Sequence, residues 1–296
     1  MKIAFFLIED ETRKVTEDKF KDHEVKVYRE ALSEENINEV LDCEVLVSRI
    51  VGLDLEFDRD VLSRFENLRF ISTMSTGFDH IDLDYCNERG IVVSNVPSYS
   101  EESVAELVFG LLLAVVRINS KFGVEIGGKV LGVVGSGRIG LKVIEIAKGF
   151  GMEVVVYDVV FNEEARSRWG FEYVELDELL KKSDFVSLHA PYNESTRHLL
   201  SENLKKVKDG CVIINTAREG LIDTEVLVEL VKSGKISCGL DVVDEKFREE
   251  LMGLDNVVLT DHIGASTVEA RERVLGETIE NVEGFVGKEV RNVVNV

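Results

Sequence analysis

Short runs of consecutive apolar, largely β-branched residues recur along the chain, and the stretches between them return an apolar side chain every third or fourth position. Residues 3–8, 25–28, 45–48, 69–72 and 92–95 form a first series of such runs, and 130–134, 154–157, 185–188, 212–215 and 238–240 form a second. Strand alternating with helix predicts α/β architecture with helices on both faces of parallel sheets. Val130-Leu131-Gly132-Val133-Val134 and Glu153-Val154-Val155-Val156-Tyr157 are apolar at successive positions, as strands buried on both faces require. Two series predict two doubly wound parallel-sheet lobes. Between them lies the longest apolar block, residues 104–116, interrupted by Glu106. It falls short of the roughly 20 residues that span a bilayer. It is expected to be a buried helix joining the lobes, with Ser100 as N-cap and Glu101 and Glu102 complementing the dipole in its first turn. No fixed-period repeat and no Pro/Ser-rich linker interrupts the pattern, so the lobes are expected to pack together around a cleft.

Composition narrows the function. The 296 residues carry 35 Lys+Arg against 56 Asp+Glu, a net charge of −21. Nucleic acid and anionic lipid bind clustered Lys and Arg, so neither is an expected partner. Cys43, Cys86, Cys211 and Cys238 are scattered, form no Cys-x-x-Cys pair and lie in or beside apolar runs. With the N-terminal run leading into acidic residues and no small-residue cleavage site, they predict reduced core thiols in a cytoplasmic protein. The chain contains no Gln and is dense in Glu and Lys, the composition expected of a thermophile. No metal-ligand spacing is evident, and no metal is expected.

The strongest local signal is Gly132-Val133-Val134-Gly135-Ser136-Gly137-Arg138-Ile139-Gly140, which follows an apolar strand and opens an amphipathic helix at 141–150. In that context Gly135 allows a tight turn, Gly137 lets backbone approach a pyrophosphate, and Gly140 permits close helix–strand packing, while the helix N-terminus offers unpaired N–H groups. The next strand ends in Asp158, 18 residues past Gly140, where a carboxylate accepts hydrogen bonds from ribose hydroxyls and repels a 2′-phosphate. The expected cofactor is NAD rather than NADP, held in a Rossmann-type lobe. A hydride carrier needs a proton acceptor and an electrostatic clamp from the protein. Four segments of the second lobe end in chemistry-bearing residues: 187–191, 215–218, 239–241 and 260–264. They place His262 at a loop-to-helix transition and Arg218 beside a strand end, an imidazole that can move a proton near neutral pH and a guanidinium that can grip a carboxylate.

Taken together, GVVGSGRIG, VVVYD, LHAP, NTAREGLID, GLDVVDE and HIGAST, in this order, resemble the D-isomer-specific 2-hydroxyacid dehydrogenase family over nearly the whole chain. In the first lobe, residues 75–82 (STGFDHID), 96–100 (VPSYS) and 103–106 (SVAE) are similar to its D-lactate dehydrogenase branch. The resemblance implies that Arg218 binds the substrate carboxylate and carbonyl and that His262 exchanges the hydroxyl proton. It also implies that Thr76 and Gly77 amides hold the carboxylate in a turn begun by Ser75, and that Tyr99 lines the pocket. Small residues in a turn after a strand are in keeping with an anion nest. Arg138, Ile139, Asp158, Ala190, Pro191, Thr196, Thr216, Ala217, Arg218 and Asp241 are the implied cofactor contacts beside Gly135, Gly137 and Gly140.

Three departures accompany the resemblance. The family's catalytic Glu falls five residues past the strand-end Asp, and here that offset from Asp241 gives Lys246. Asp244 and Glu245 are the adjacent carboxylates, and Glu245 is the expected partner of the His262 imidazole. Asp261 stands before His262 where relatives carry Pro, supplying a third carboxylate. Only residues 119–127 separate the long helix from the next strand, whereas relatives carry a longer arm across a homodimer interface, so the implied homodimer is left open. The expected organisation is a substrate-binding lobe of residues 1–98 and 272–296 and an NAD-binding lobe of residues 99–271. The expected reaction is hydride transfer between NADH and a small 2-oxo acid, with pyruvate and D-lactate first. Glyoxylate, hydroxypyruvate or 3-phosphoglycerate are alternatives, the last needing a cation that only Arg49 offers in the first lobe. A non-catalytic NADH-sensing protein is the alternative of another class.

Overall fold

The computed structural model describes residues 1–48, 55–118 and 123–295. Arg49 lies outside them, as do positions 119–122 of the segment compared with the dimer arm. The chain divides into two compact units, Met1–Tyr99 with Val268–Val296, and Ser100–Thr267.

The first unit is built on a five-stranded parallel sheet of β1 (Lys2–Phe5), β2 (Glu24–Val27), β3 (Val45–Ser48), β4 (Phe70–Thr73) and β5 (Val92–Ser94), in the order β2-β1-β3-β4-β5. Helices α1 (Asp10–Lys19), α2 (Arg59–Ser63), α3 (Leu83–Arg89) and, from the far end of the chain, α10 (Val268–Gly287) belong to this unit. One face of the sheet presents Ala4, Leu46, Ile71 and Val93 to Leu62, Phe65, Tyr85 and Cys86, all buried. On the other face Phe70 stacks on Phe285 of α10 with ring centroids 4.5 Å apart. The edge strand β5 would expose unpaired backbone groups. The C-terminal segment covers them, Ser94 bridging Val293 antiparallel and Val294 N donating to Val93 O at 2.9 Å.

The second unit holds a seven-stranded parallel sheet: β6 (Val130–Val134), β7 (Glu153–Tyr157), β8 (Glu172–Tyr173), β9 (Phe185–Leu188), β10 (Cys211–Asn215), β11 (Ile236–Leu240) and β12 (Val257–Leu259). Their order, β12-β11-β10-β9-β6-β7-β8, reverses between β6 and β9, the position at which doubly wound sheets take up ligands at strand C-termini. Around it lie α4 (Glu101–Leu113), α5 (Arg138–Gly149), α6 (Glu163–Trp169), α7 (Leu176–Lys182), α8 (Thr224–Lys232) and α9 (Glu245–Met252). Two apolar layers result. One gathers Val186, Leu188, Ile213, Leu227 and Cys238, and the other packs α4 and α5 through Val108, Leu112, Val143 and Ile144 on Val133 and Ile214.

Two local features differ from the sequence reading. Ser100 does stand at the N-cap of α4, but its side chain makes no cap bond; its carbonyl instead accepts from Val104 N at 2.9 Å and Ser103 Oγ at 3.0 Å. The long apolar helix ends in a widened π-helical turn, Ala114–Ile118, which the apolar periodicity does not reveal. Among the described residues, no helix is long and apolar enough to cross a membrane.

Candidate active site

At the end of β6 the glycine turn is shaped by steric necessity. Gly135 has φ +95°, and a Cβ there would lie 2.7 Å from Ala190 N. A Cβ on Gly140 would lie 2.0 Å from Gly135 O, so helix and turn approach as only glycine permits. Gly137, by contrast, opens onto free space and stands at the N-cap of α5, where no side chain caps the helix. Arg138 follows in the first turn, 3.9 Å from Glu101, and Ile139 packs into the apolar layer beneath. Asp158, past the end of β7, accepts from Ser136 N at 2.5 Å, Ser136 Oγ at 2.8 Å and Val160 N at 3.0 Å. Burial alone would raise its pKa, but these backbone and hydroxyl donors outweigh burial and hold the carboxyl below the ordinary carboxylate value. Tyr173 Oη completes the group, 3.1 Å from Ser136 Oγ, and its ring stacks on Phe161 at 4.6 Å.

The ends of β10, β11 and β12 hold the second group. Asn215 is 1% exposed and uses its amide as a clamp, Nδ2 donating to Arg218 O at 2.8 Å and Oδ1 accepting from Ala217 N at 3.0 Å. This fixes residues 216–218 and leaves Arg218 half-buried, with Nη1 donating to Ala217 O at 2.8 Å. The Thr216 hydroxyl is buried and has no partner among the described residues. The Thr196 hydroxyl donates to Pro191 O at 2.6 Å and accepts from Asn193 N at 2.9 Å, so it braces its own loop.

Asp241, also 1% exposed, suspends the next loop. Its carboxylate accepts from Thr260 Oγ1 at 2.6 Å, Ile263 N at 2.8 Å and Gly264 N at 2.8 Å, while its carbonyl accepts from His262 N at 2.9 Å. His262 is held at φ 51°, a left-handed conformation uncommon for a side-chain-bearing residue and characteristic of functional sites when its surroundings enforce it. The nearby carboxylates have separate employments. Asp244 caps α9 through Lys246 N at 2.9 Å. Glu245 lies 3.6 Å from Arg248 Nη1, and Arg248 Nη2 donates to Asp261, so one guanidinium ties the start of α9 to the residue before His262. Lys246, five residues past Asp241, pairs with Glu225 at 3.5 Å.

In the first unit the turn after β4 presents backbone amides. Its carbonyls are all engaged: Ser75 O by Val96 N at 3.0 Å, Thr76 O by Asn95 Nδ2 at 2.8 Å, and Gly77 O by Ser75 Oγ at 2.6 Å. Thr76 Oγ1 donates to Val96 O at 3.0 Å. The N–H groups of Thr76 and Gly77 make no hydrogen bond among the described residues. Tyr99 is 5% exposed, its carbonyl accepting from Arg273 Nε at 2.8 Å.

Residues 112–264 match the D-isomer specific 2-hydroxyacid dehydrogenase, NAD binding domain, family. The chain is 40% identical over 282 residues to hydroxypyruvate reductase of Thermotoga maritima, covering 88% of this chain and 90% of the relative. The chain belongs to the D-isomer specific 2-hydroxyacid dehydrogenase family. It is 36% identical over 286 residues to glyoxylate reductase of Thermococcus litoralis, 88% of this chain and 86% of that protein. The structure of D-lactate dehydrogenase from Aquifex aeolicus with NAD and lactic acid superposes with a TM-score of 0.90 at 35% identity, covering 99% of this chain and 98% of that one.

As a family member the chain is an NAD-dependent oxidoreductase acting on the CH–OH group of D-2-hydroxy acids. The residues present fit that cofactor. The glycine turn leaves open space and uncapped N–H groups at Gly137, where a pyrophosphate needs them, and the buried, unpartnered Thr216 hydroxyl awaits a polar group. Among the described residues no cluster of His, Cys, Asp and Glu could hold a metal ion. Inspection of the sequence for strand-end charges passes over the dehydrogenase's supporting side chains: Asn215, Ser136, Tyr173 and Asn95. Asn215, Ser136 and Asn95 carry their signal only in the hydrogen bonds they make to Arg218 and Ala217, Asp158 and Thr76, and Tyr173 only through Ser136.

Proposed function

We propose that the dehydrogenase transfers hydride between NADH and a small 2-oxo acid, giving the D-2-hydroxy acid, with pyruvate and D-lactate as the first pair. The observation that carries this reading is the suspension of His262 at φ 51° by the buried Asp241 carboxylate, because a backbone strained and held so firmly fixes where an imidazole can deliver a proton. When bound, the nicotinamide supplies or accepts the hydride. His262 donates a proton to the substrate's carbonyl oxygen in reduction and removes it in oxidation. Glu245, drawn by Arg248 toward the His262 loop, is the carboxylate that favours the protonated imidazole. Arg218, fixed by Asn215, grips the substrate's carboxylate and polarises its carbonyl. Thr76 and Gly77 N–H groups, in the turn begun by Ser75, take the carboxylate, and Tyr99 bounds the pocket. Gly135, Gly137 and Gly140 would receive the pyrophosphate and Asp158 the ribose hydroxyls, and Arg138, Ile139, Ala190, Pro191, Thr196, Thr216, Ala217, Arg218 and Asp241 would complete the cofactor's contacts. The lobe division drawn from sequence, 1–98 with 272–296 and 99–271, assigns substrate binding to the first and cofactor binding to the second. The reading places the enzyme in the cytoplasm and leaves the homodimer open, because the segment 119–127 is shorter than the arm that relatives carry. Ile118 (79% exposed), Val124 and Phe150 offer apolar surface for such an interface.

Hydroxypyruvate or glyoxylate is a second reading, favoured by the 40% and 36% identities to reductases named for those acids. A 3-phosphoglycerate reading rests on Arg49. The test is NADH oxidation with pyruvate, hydroxypyruvate, glyoxylate and 3-phosphoglycerate, with NADPH in parallel and His262→Ala as control. Turnover of pyruvate with the highest kcat/KM is expected, together with a loss on the order of 100-fold or more in the variant. A His262→Ala enzyme as fast as wild type removes His262 from the mechanism, and preference for hydroxypyruvate or glyoxylate installs the second reading.

A further inference from the structure

The turn proposed to receive the substrate carboxylate is tied to the far end of the chain by a relay of asparagines. Asn95, 7% exposed, follows the edge strand β5, and its Nδ2 donates to Thr76 O at 2.8 Å. Asn95 is itself gripped on both sides of its backbone: its N–H donates to Asn292 O at 3.1 Å, and its carbonyl accepts from Asn281 Nδ2 at 2.9 Å. Asn281, on α10, is fully buried, and its Oδ1 accepts from Asn292 Nδ2 at 2.9 Å. Asn292 Nδ2 donates to Glu277 Oε1 as well, at 3.0 Å. Asn292 has φ 52°, a left-handed conformation that asparagine tolerates better than most residues. Amides serve here because each both donates and accepts, so a chain of them can satisfy every buried polar group it meets. A purely apolar dock would hold α10 on the sheet, as the Phe70–Phe285 stack already does, without addressing one particular carbonyl of the nest.

We propose that Asn281 and Asn292 are positioning residues for the carboxylate nest. By fixing Asn95 they set the Thr76 carbonyl, and with it the direction of the Gly77 N–H in the same peptide plane; the preceding plane, which carries the Thr76 N–H, is held through the neighbouring Val96 N–H, which donates to Ser75 O at 3.0 Å. This inference rests on the reading of residues 75–77 as the carboxylate site. Losing one neutral hydrogen bond of the relay should loosen the nest and raise KM for the 2-oxo acid roughly 3- to 10-fold. The kcat at saturation and the Kd for NADH should stay within about 2-fold, because Arg218, His262 and the dinucleotide turn belong to the other unit.

Asn292→Gly keeps access to the left-handed backbone while deleting the amide, and Asn292→Asp keeps the shape while losing the donor. In each, KM, kcat, NADH affinity and the melting curve are measured. A folded variant with unchanged KM overturns the proposal, as does a variant in which KM, kcat and NADH affinity all deteriorate together. Independently of any variant, amide hydrogen exchange of the wild-type enzyme is followed with and without oxamate, a non-reacting 2-oxo acid analogue. Binding energy shared along the relay must appear at both ends, so oxamate is expected to slow exchange at Thr76, Gly77, Asn95 and in residues 289–295. Protection confined to 75–78 overturns the relay and leaves the nest standing. Absence of protection at 75–78 overturns the nest and the relay together.

Discussion

Replacing Asp241 by Asn tests whether its buried carboxylate, rather than the fold at large, places His262. The side chains are nearly isosteric, so the cavity is unchanged and the perturbation lies in the hydrogen bonds. The amide oxygen can still accept from Thr260 Oγ1 and Ile263 N, but the new NH2 then faces the buried Gly264 N–H, which now donates to the carboxylate at 2.8 Å. One buried donor is left unsatisfied at about 1–3 kcal/mol, and the two remaining bonds lose their charge assistance. For about 2 kcal/mol, the melting temperature should fall by roughly 4–8 °C. Holding His262 at φ 51° costs about 1–3 kcal/mol, so a loop with weakened restraints relaxes and takes the imidazole with it. Since a positioned general acid–base is worth on the order of 100- to 10,000-fold, kcat for 2-oxo acid reduction should fall about 10- to 100-fold in Asp241→Asn and further in Asp241→Ala. NADH affinity, followed by fluorescence titration, should fall by no more than about 10-fold, the energy of the one cofactor contact that Asp241 is assigned. Unchanged kcat in a protein destabilised by the expected amount would refute the argument. A large loss of NADH affinity at full kcat would instead identify Asp241 as a cofactor contact only.

Other expectations follow from single observations. Gly140→Ala places a Cβ 2.0 Å from Gly135 O, a backbone atom, so the turn must shift and NADH affinity measured by calorimetry should drop at least about 10-fold; an alanine variant binding as wild type would contradict the close approach. Desolvation pushes the His189 imidazole, 2.8 Å from Ser187 Oγ, down to about 3, although the residue keeps some exposed surface. The unfolded chain therefore binds the extra proton first as pH falls. The stabilisation is complete above pH ~6.5 and declines at about 1.4 kcal/mol per pH unit below it, until the folded pKa is reached. Denaturant titrations from pH 7 to 4 should show a shallower acid loss in His189→Gln, and equal slopes would exclude His189 as a source. Burial pushes Cys43 up to about 11 and Cys86, Cys211 and Cys238 up to about 12, so native protein should react with none of its four thiols on dithionitrobenzoate treatment and with all after unfolding. Fast reaction of any thiol in the native state would contradict its burial.

What could be read from sequence was whatever local sterics or double-sided burial impose. Strands β6 and β9 fall where the apolar runs place them, because parallel strands covered on both faces leave no polar position to blur their ends. Gly135 and Gly140 of the dinucleotide turn are legible for a similar reason, since a Cβ on the first would meet Ala190 N at 2.7 Å and one on the second Gly135 O at 2.0 Å. The two-residue edge strand β8 carries no such pattern, and the short β12 escapes likewise. At the candidate site, residue types were legible and their employment was not. Asp241 reads from sequence as a strand-end carboxylate awaiting a ligand, whereas its oxygens are taken by residues 19, 22 and 23 positions away. Nothing in Asp261-His262-Ile263 demands a left-handed histidine; that conformation is imposed by Asp241 from another strand. The Asn95–Asn281 bond spans 186 positions, beyond the reach of any periodicity.

The first unit leaves its sheet at Tyr99 and is completed only by residues from Val268 onward. Val93 N finds its acceptor in Asn295 Oδ1, 202 positions later, at 2.6 Å. During synthesis the second unit therefore emerges with all of its strands in hand, while the first must wait for the last helix and the segment after it before its edge strand is sealed. Order of folding is thereby built into the chain path: contacts of such long sequence separation form late and slowly, so the cofactor lobe can mature ahead of the lobe assigned to substrate. A nascent enzyme of this design closes its glycine turn after β6 before the C-terminal segment ties down the turn after β4.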